Sequence, residues 1–124
     1  MDIQRMIDLH MKWKARFETA LAQHIWLDAG AIAVEKGCRL NNWLHSEGRA
    51  RYGYSDAWKE CVRAHSQFHR QAAYAVQQIN NGSASAEDIL GTASPYERAS
   101  QELERTLVRL RQSGRHDQHG GMAA

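Results

Sequence analysis

Proline is nearly absent, cysteine occurs only twice, and the 124 residues contain neither a long apolar run nor a surplus of one charge. Each scarcity excludes something. With one proline and an abundance of Ala, Gln, Arg, Glu and Leu, nothing in the composition forbids long helices. No apolar stretch approaches the roughly 20 residues that span a bilayer, so no membrane segment is expected. The opening MDIQRMIDLH is amphipathic and lacks the apolar core of an export signal, which predicts a cytoplasmic location. In that compartment Cys38 and Cys61 stay reduced, which leaves metal binding or redox chemistry open to them. Sixteen Lys and Arg face fourteen Asp and Glu, for a net charge of +2, with the signs interspersed. Neither a nucleic-acid stripe nor a polybasic membrane face results.

What is present is helical periodicity. Ile3, Met6/Ile7, His10, Trp13, Phe17 and Ala20/Leu21 recur at three-and-four spacing and predict a helix from Ile3 to about Gln23, with His10 on its inner stripe. After Asp28-Ala29-Gly30 comes a less regular piece with a short turn at AIAVEKG. CRLNNWLHSEG then reads as a short helix that begins near Cys38 and ends at Gly48. Ser55 is a fitting cap for a long helix to about Asn80, carrying Trp58, Cys61/Val62, His65, Phe68/His69, Ala72, Val76 and Ile79 along one face. NNGSAS ends it. Ser85 caps a short turn at AEDIL, Gly91 interrupts, and Ser94-Pro95 supplies a cap followed by proline at the first helical position. The last helix runs through Tyr96, Ala99, Leu103, Thr106/Leu107 and Leu110, with Arg109 and Arg111 near its negative end. Residues 114–124 read as a flexible tail, which leaves one domain over 1–113. The expected fold is all-α, an antiparallel four-helix bundle with short extra helical turns; a chain of this length buries roughly two thirds of its surface.

His65 and His69 stand one helical turn apart, about 5 to 6 Å between Cβ atoms, and can offer two ring nitrogens to one point. By itself that pair is a weak signal. Bundle sites, however, are built from facing helices, and His10 and Cys38 lie on two other inward segments. Three imidazoles and a thiolate suit tetrahedral zinc, with Zn–N near about 2.0 to 2.1 Å and Zn–S near about 2.3 Å. Four protein ligands close the site, so structural or sensory zinc is expected and no catalytic residue. Cys61 lies about 12 Å of helix rise from His69, too far for a common ion, and reads as a small buried apolar residue. His24 stands about 21 Å along the axis from His10 and reads as a helix-end histidine. His45 either covers the site or faces solvent, and His116 and His119 fall in the tail. Trp13, Trp43, Trp58 and Phe68 read as core around the site, while Glu47 and Asp56 are conceivable outer carboxylates or simply solvated charges.

H-x-x-W at His10 and Trp13, C-x-L-x-x-W-L at Cys38, Leu40, Trp43 and Leu44, and H-x-x-F-H at His65, Phe68 and His69 together resemble the chemoreceptor zinc-binding (CZB) domain. WLHSEG and SPYERASQEL look like the same family, and the resemblance covers roughly Ile3 to Gln112. It implies a helical bundle binding Zn2+ through His10, Cys38, His65 and His69, commonly as a homodimer. It also implies work with bacterial chemoreceptors or diguanylate cyclases, reporting zinc or the oxidation of the ligand cysteine by hypochlorous acid. No methyl-accepting helix or cyclase domain accompanies it here, so the chain is expected to act on a separate signalling protein or to be part of a longer one. One departure stands out: Asn41 replaces the usual glycine, and asparagine is expected there to keep a turn in the left-handed region. Two alternatives remain beside this reading. In one, zinc only stabilises a structural or dimerisation bundle. The other is a di-iron bundle shaped like hemerythrin, for which the inward carboxylates are lacking.

Overall fold

A computed structural model describes the backbone of residues 3–33 and 38–123, and the side chains of 3–33 and 38–113. Every regular element among the described residues is helical. Helix α1 spans Ile3–Gln23 and buries Ile3, Met6, Ile7, His10, Phe17 and Ala20, the stripe its sequence prescribes. It ends where His24 takes φ 56°, which lets the Ile25 N–H donate to the Ala20 carbonyl at 3.0 Å. This left-handed end closes orphan carbonyls, a task more often given to glycine. Asp28 Oδ1 then accepts the Ala31 N–H at 3.1 Å and starts the short α2, Ala29–Ala33.

The segment after Cys38 differs from expectation in two ways. Helix α3 spans Arg39–Trp43, continues through a π-helical turn at Leu44–Gly48, and runs on as α4 over Arg49–Tyr52. Gly48 is therefore no terminator. A Cβ there would meet the Trp43 carbonyl at 3.0 Å and its ring at 3.2 Å, so glycine is present because the indole lies against the backbone. The actual stop is Gly53, with φ 61°. Asn41 sits inside α3, and His24 is the one described non-glycine residue with positive φ, so position 41 needs no left-handed tolerance.

Helix α5 spans Asp56–Asn81, with Ser55 Oγ accepting the Trp58 N–H at 3.2 Å. Its C-terminus closes on Gly82 at φ 61°, with bonds from Gly82 N to Ile79 O and from Ser83 N to Gln78 O. Ser85 caps α6, Ala86–Leu90, by accepting the Asp88 N–H. Ser94 caps α7, Pro95–Ala123, by accepting the Glu97 N–H, and proline occupies the first helical position. All three serine caps stand where the sequence puts them, because capping needs only local contacts.

The main seam lies between α5 and α7, where Cys61, Phe68, Ala72 and Val76 meet Leu103, Leu107 and Leu110, all fully buried. Each such leucine stabilises the fold by about 2 kcal/mol. Helix α1 packs on both α5 and α7, and α2 packs on α5. Asn80 holds that last contact by accepting the Leu27 N–H at 3.0 Å and donating to its carbonyl at 2.7 Å. The half-exposed pairs Lys14–Glu97 and Arg109–Glu60 join α7 to α1 and α5; pairs of that kind contribute at most about 1 kcal/mol each.

Candidate metal centre

The inner stripes of α1 and α5 face each other at His10 and His65/His69, and Cys38, in extended conformation at φ −79°, ψ 127°, enters from the start of α3. His10, Cys38, His65 and His69 each offer a ligand atom, and these four atoms all lie within 4.8 Å of one another. Cys38 Sγ is 3.6 Å from His10 Nε2 and 3.4 Å from His65 Nε2, while the Nε2 atoms of His65 and His69 are 3.0 Å apart. A tetrahedral zinc with ordinary bond lengths separates its ligand atoms by about 3.4 Å between nitrogens and about 3.6 Å between nitrogen and sulfur. The His10–Cys38 and His65–Cys38 edges match, the His65–His69 edge needs only a few tenths of an ångström, and every remaining edge is at most 4.8 Å.

Two of the rings have their outer nitrogens fixed. His10 Nδ1 donates to the Met6 carbonyl at 2.9 Å, and His69 Nδ1 donates to the Ile32 carbonyl at 2.8 Å. A carbonyl can only accept, so both Nδ1 atoms carry the proton and both Nε2 lone pairs point into the cluster. The facing nitrogens of His65 and His69 therefore need either the Nε2–H of His65, donated to His69, or a metal cation between them. The chemistry of this donor set fits zinc. Backbone carbonyls fill the role considered for Glu47 and Asp56. Met6 lies one turn before His10 and was readable from spacing; Ile32 was not, because its position depends on how α2 folds onto α5.

Burial pushes the Cys38 thiol up, yet the polar contacts it makes with the His10, His65 and His69 rings and with the Asn41 backbone N–H outweigh that and lower the pKa from 9.0 to about 3. Burial lowers the pKa of His65, partly opposed by Cys38. A thiolate beside neutral imidazoles is the protonation state that zinc requires. His10, His65 and His69 are 4 %, 1 % and 2 % exposed, whereas Cys38 is half-buried and lines a cleft of 450 Å³. Trp13 stacks on His10 at 5.7 Å between ring centres, and Phe68 meets the same ring edge-on at 5.4 Å, so aromatic walls shield the nitrogens from water.

Other candidates lie elsewhere. Cys61 is fully buried, and burial pushes its thiol up to about 12 against a hydrogen bond with Thr106. His24 terminates α1, and His45 is exposed and rests edge-on against Trp58 at 5.8 Å. Trp58 itself donates Nε1–H to the Leu44 carbonyl in the π-helical turn, at 2.9 Å. His116 and His119 fall outside the described side chains.

Among the described residues, no helix is long and apolar enough to cross a membrane. Residues 10–76, more than half of the chain and including all four clustered side chains, match the family described as the chemoreceptor zinc-binding domain. No curated protein and no solved structure matches the chain.

Proposed function

Because the chain belongs to the chemoreceptor zinc-binding domain family, we propose that it is a zinc-responsive regulatory module of bacterial signal transduction, with His10, Cys38, His65 and His69 as the ligands of one zinc ion. The observation that carries this reading is the convergence of one sulfur and three ring nitrogens, from three separate segments, within 4.8 Å. Bound zinc would supply a positive centre that holds Cys38 as thiolate and ties the three segments together. Four protein ligands leave no position for an activated water, so the reading is non-enzymatic.

Of the four, Cys38 is the ligand that solvent reaches, which makes it the entry point for an oxidant. Hypochlorous acid converts a thiolate to a sulfenic acid and chloride, and the sulfenic acid is the poorer ligand. Cys38 begins α3, and His69 holds the carbonyl of Ile32 in α2. Loss of the sulfur ligand would thus release the start of α3 from the histidines of α1 and α5, a local change that a partner can read. The partners we propose are a second copy of the chain in a homodimer and a separate signalling protein, a chemoreceptor or a diguanylate cyclase, in the cytoplasm. Zinc-loaded protein mixed with hypochlorite and a zinc-sensitive dye tests the mechanism. Release from the wild type and much less from Cys38→Ser is expected; no release, or equal release, overturns it.

The near-complete burial of the three imidazoles favours a second reading, in which zinc only stabilises the bundle. A structural site holds its metal until the chain unfolds, whereas a sensory site exchanges it while the helices persist. Circular dichroism recorded during chelator titration separates the two.

A further inference from the structure

The cleft that exposes Cys38 has an uneven lining: Leu9, Trp13 and Leu40 supply apolar wall, and its charged side chains are Lys12, Arg16 and Arg39. Among the described residues no carboxylate lines it. An adjoining cleft of 660 Å³ shares Arg39 and adds Arg5, with Glu47 as its one carboxylate. Lys12, Arg16 and Arg39 are all exposed, and among the described residues none of them is in an ion pair. The protein as a whole is close to neutral, so cations gathered at the one solvent-reached ligand, with no carboxylate among the described lining residues, form a local field rather than a reflection of net charge.

Clefts lined by one sign of charge over low-dielectric walls concentrate the opposite charge and raise its encounter rate by about tenfold or more. We propose that the cleft of Lys12, Arg16 and Arg39 is a reception site for small thiol-reactive anions, selecting by charge the reagents that modify Cys38. The inference deepens the regulatory reading and rests on the same sulfur, but it requires no metal. For a thiosulfonate reagent, the Cys38 sulfur attacks the sulfenyl sulfur, a new S–S bond forms, the reagent's own S–S bond breaks, and methanesulfinate leaves with the electron pair. No further oxidant is consumed.

Two methanethiosulfonates of matched size test it, one carrying a sulfonate and one a trimethylammonium group, with the adduct located by mass spectrometry. The ratio of anionic to cationic rate at Cys38 is divided by the same ratio for 2-mercaptoethanol, a neutral free thiol. The corrected ratio is expected to exceed about ten at low ionic strength and to shrink severalfold in about 0.5 M salt, where the screening length falls to a few ångströms. Lys12→Gln/Arg16→Gln should lower the anionic rate and raise the cationic one. A corrected ratio near one, or one that neither salt nor the double variant changes, overturns the proposal. Misfolding of the variant would announce itself as a second adduct on buried Cys61, and the wild-type salt titration then decides. Protein that binds no zinc yet shows the charge preference supports this inference while overturning the zinc reading; zinc-binding protein without the preference does the reverse.

Discussion

In the seam between α5 and α7, Cys61 is surrounded by side chains that offer it little, and burial pushes its thiol up to about 12. At the start of α3, Cys38 is also taken partly out of water, but three imidazoles and the Asn41 amide bring its thiol down to about 3. The seam is held by apolar contact, which works whether or not any ion is present. The cluster is built of polar groups whose sulfur and ring nitrogens converge on one point that suits a cation. Removing contacts from the seam should therefore cost the same with and without metal, whereas removing a cluster ligand should matter most when metal is there.

The largest expected effect tests that contrast directly. Cys38→Ala and His65→Ala should each lower zinc affinity by more than about a hundredfold, since replacing residues that merely orient ligands already costs ten- to a hundredfold. Cys61→Ala should keep one zinc per chain and lose about 1 kcal/mol of stability, equally with zinc and with chelator. Metal analysis of purified protein and thermal melts in both conditions check this. If Cys61→Ala abolished zinc binding while Cys38→Ala kept it, the roles assigned to the two thiols would be reversed.

Acidity separates the same two residues. In the metal-free protein Cys38 keeps its proton off down to about 3, while an unfolded thiol holds it up to about 9. Over that interval the unfolded chain binds more protons, so stability rises with pH and is lost as pH falls toward 3. Cys61 acts in the opposite direction: the folded state holds its proton to about 12, so its contribution falls as pH climbs above about 9. Denaturant melts with chelator present should show both limbs. Cys38→Ala should flatten the acid limb and Cys61→Ala the alkaline one; a wild-type profile unaffected by either change would sink the contrast.

How far the sequence carried this picture follows from the range of each interaction. Ser55, Ser85 and Ser94-Pro95 could be placed because a cap depends on the residues within one turn of it. His10, His65 and His69 could be grouped because helical spacing fixes which face each side chain occupies, and Cys38, extended ahead of α3, joined them through the family-like motifs and because that donor set suits one chemistry. Gly48 and Asn41 were misread for one reason: each looked like a backbone requirement, whereas Gly48 answers to the Trp43 ring and Asn41 lies within an unbroken helix. Ile32 and Asn80 were invisible, since both act across the α2–α5 contact through backbone groups whose location only folding decides.

A smaller effect joins the cluster to the segment that carries Cys38. Gly48→Ala would place a methyl 3.0 Å from the Trp43 carbonyl and 3.2 Å from its ring, and the carbonyl is backbone that cannot swing aside. Overpacking of this kind costs about 1 to 3 kcal/mol, and the alanine recovers about 0.5 to 1 of it through helix propensity. A net loss of about 1 kcal/mol is expected by urea denaturation. Because Trp43 ends the helix that Cys38 begins, zinc affinity should fall with it, which no seam variant of equal cost should reproduce.

The smallest effect concerns the far end of α1 from the cluster. His24 occupies φ 56° so that the Ile25 N–H can reach the Ala20 carbonyl. That backbone region costs an ordinary residue about 1 to 2 kcal/mol, and glycine avoids the cost but returns about 0.5 to 1 kcal/mol in extra freedom of the unfolded chain. His24→Gly should therefore stabilise the protein by about 0.5 kcal/mol, a rise of about 2 °C in Tm for a domain of this size. The gain should be the same with zinc and with chelator, because no ligand is involved at that end. A gain confined to the zinc-loaded form would mean that the C-terminus of α1 moves with the cluster, and the division between an ion-dependent region and an ion-independent one would have to be redrawn along α1.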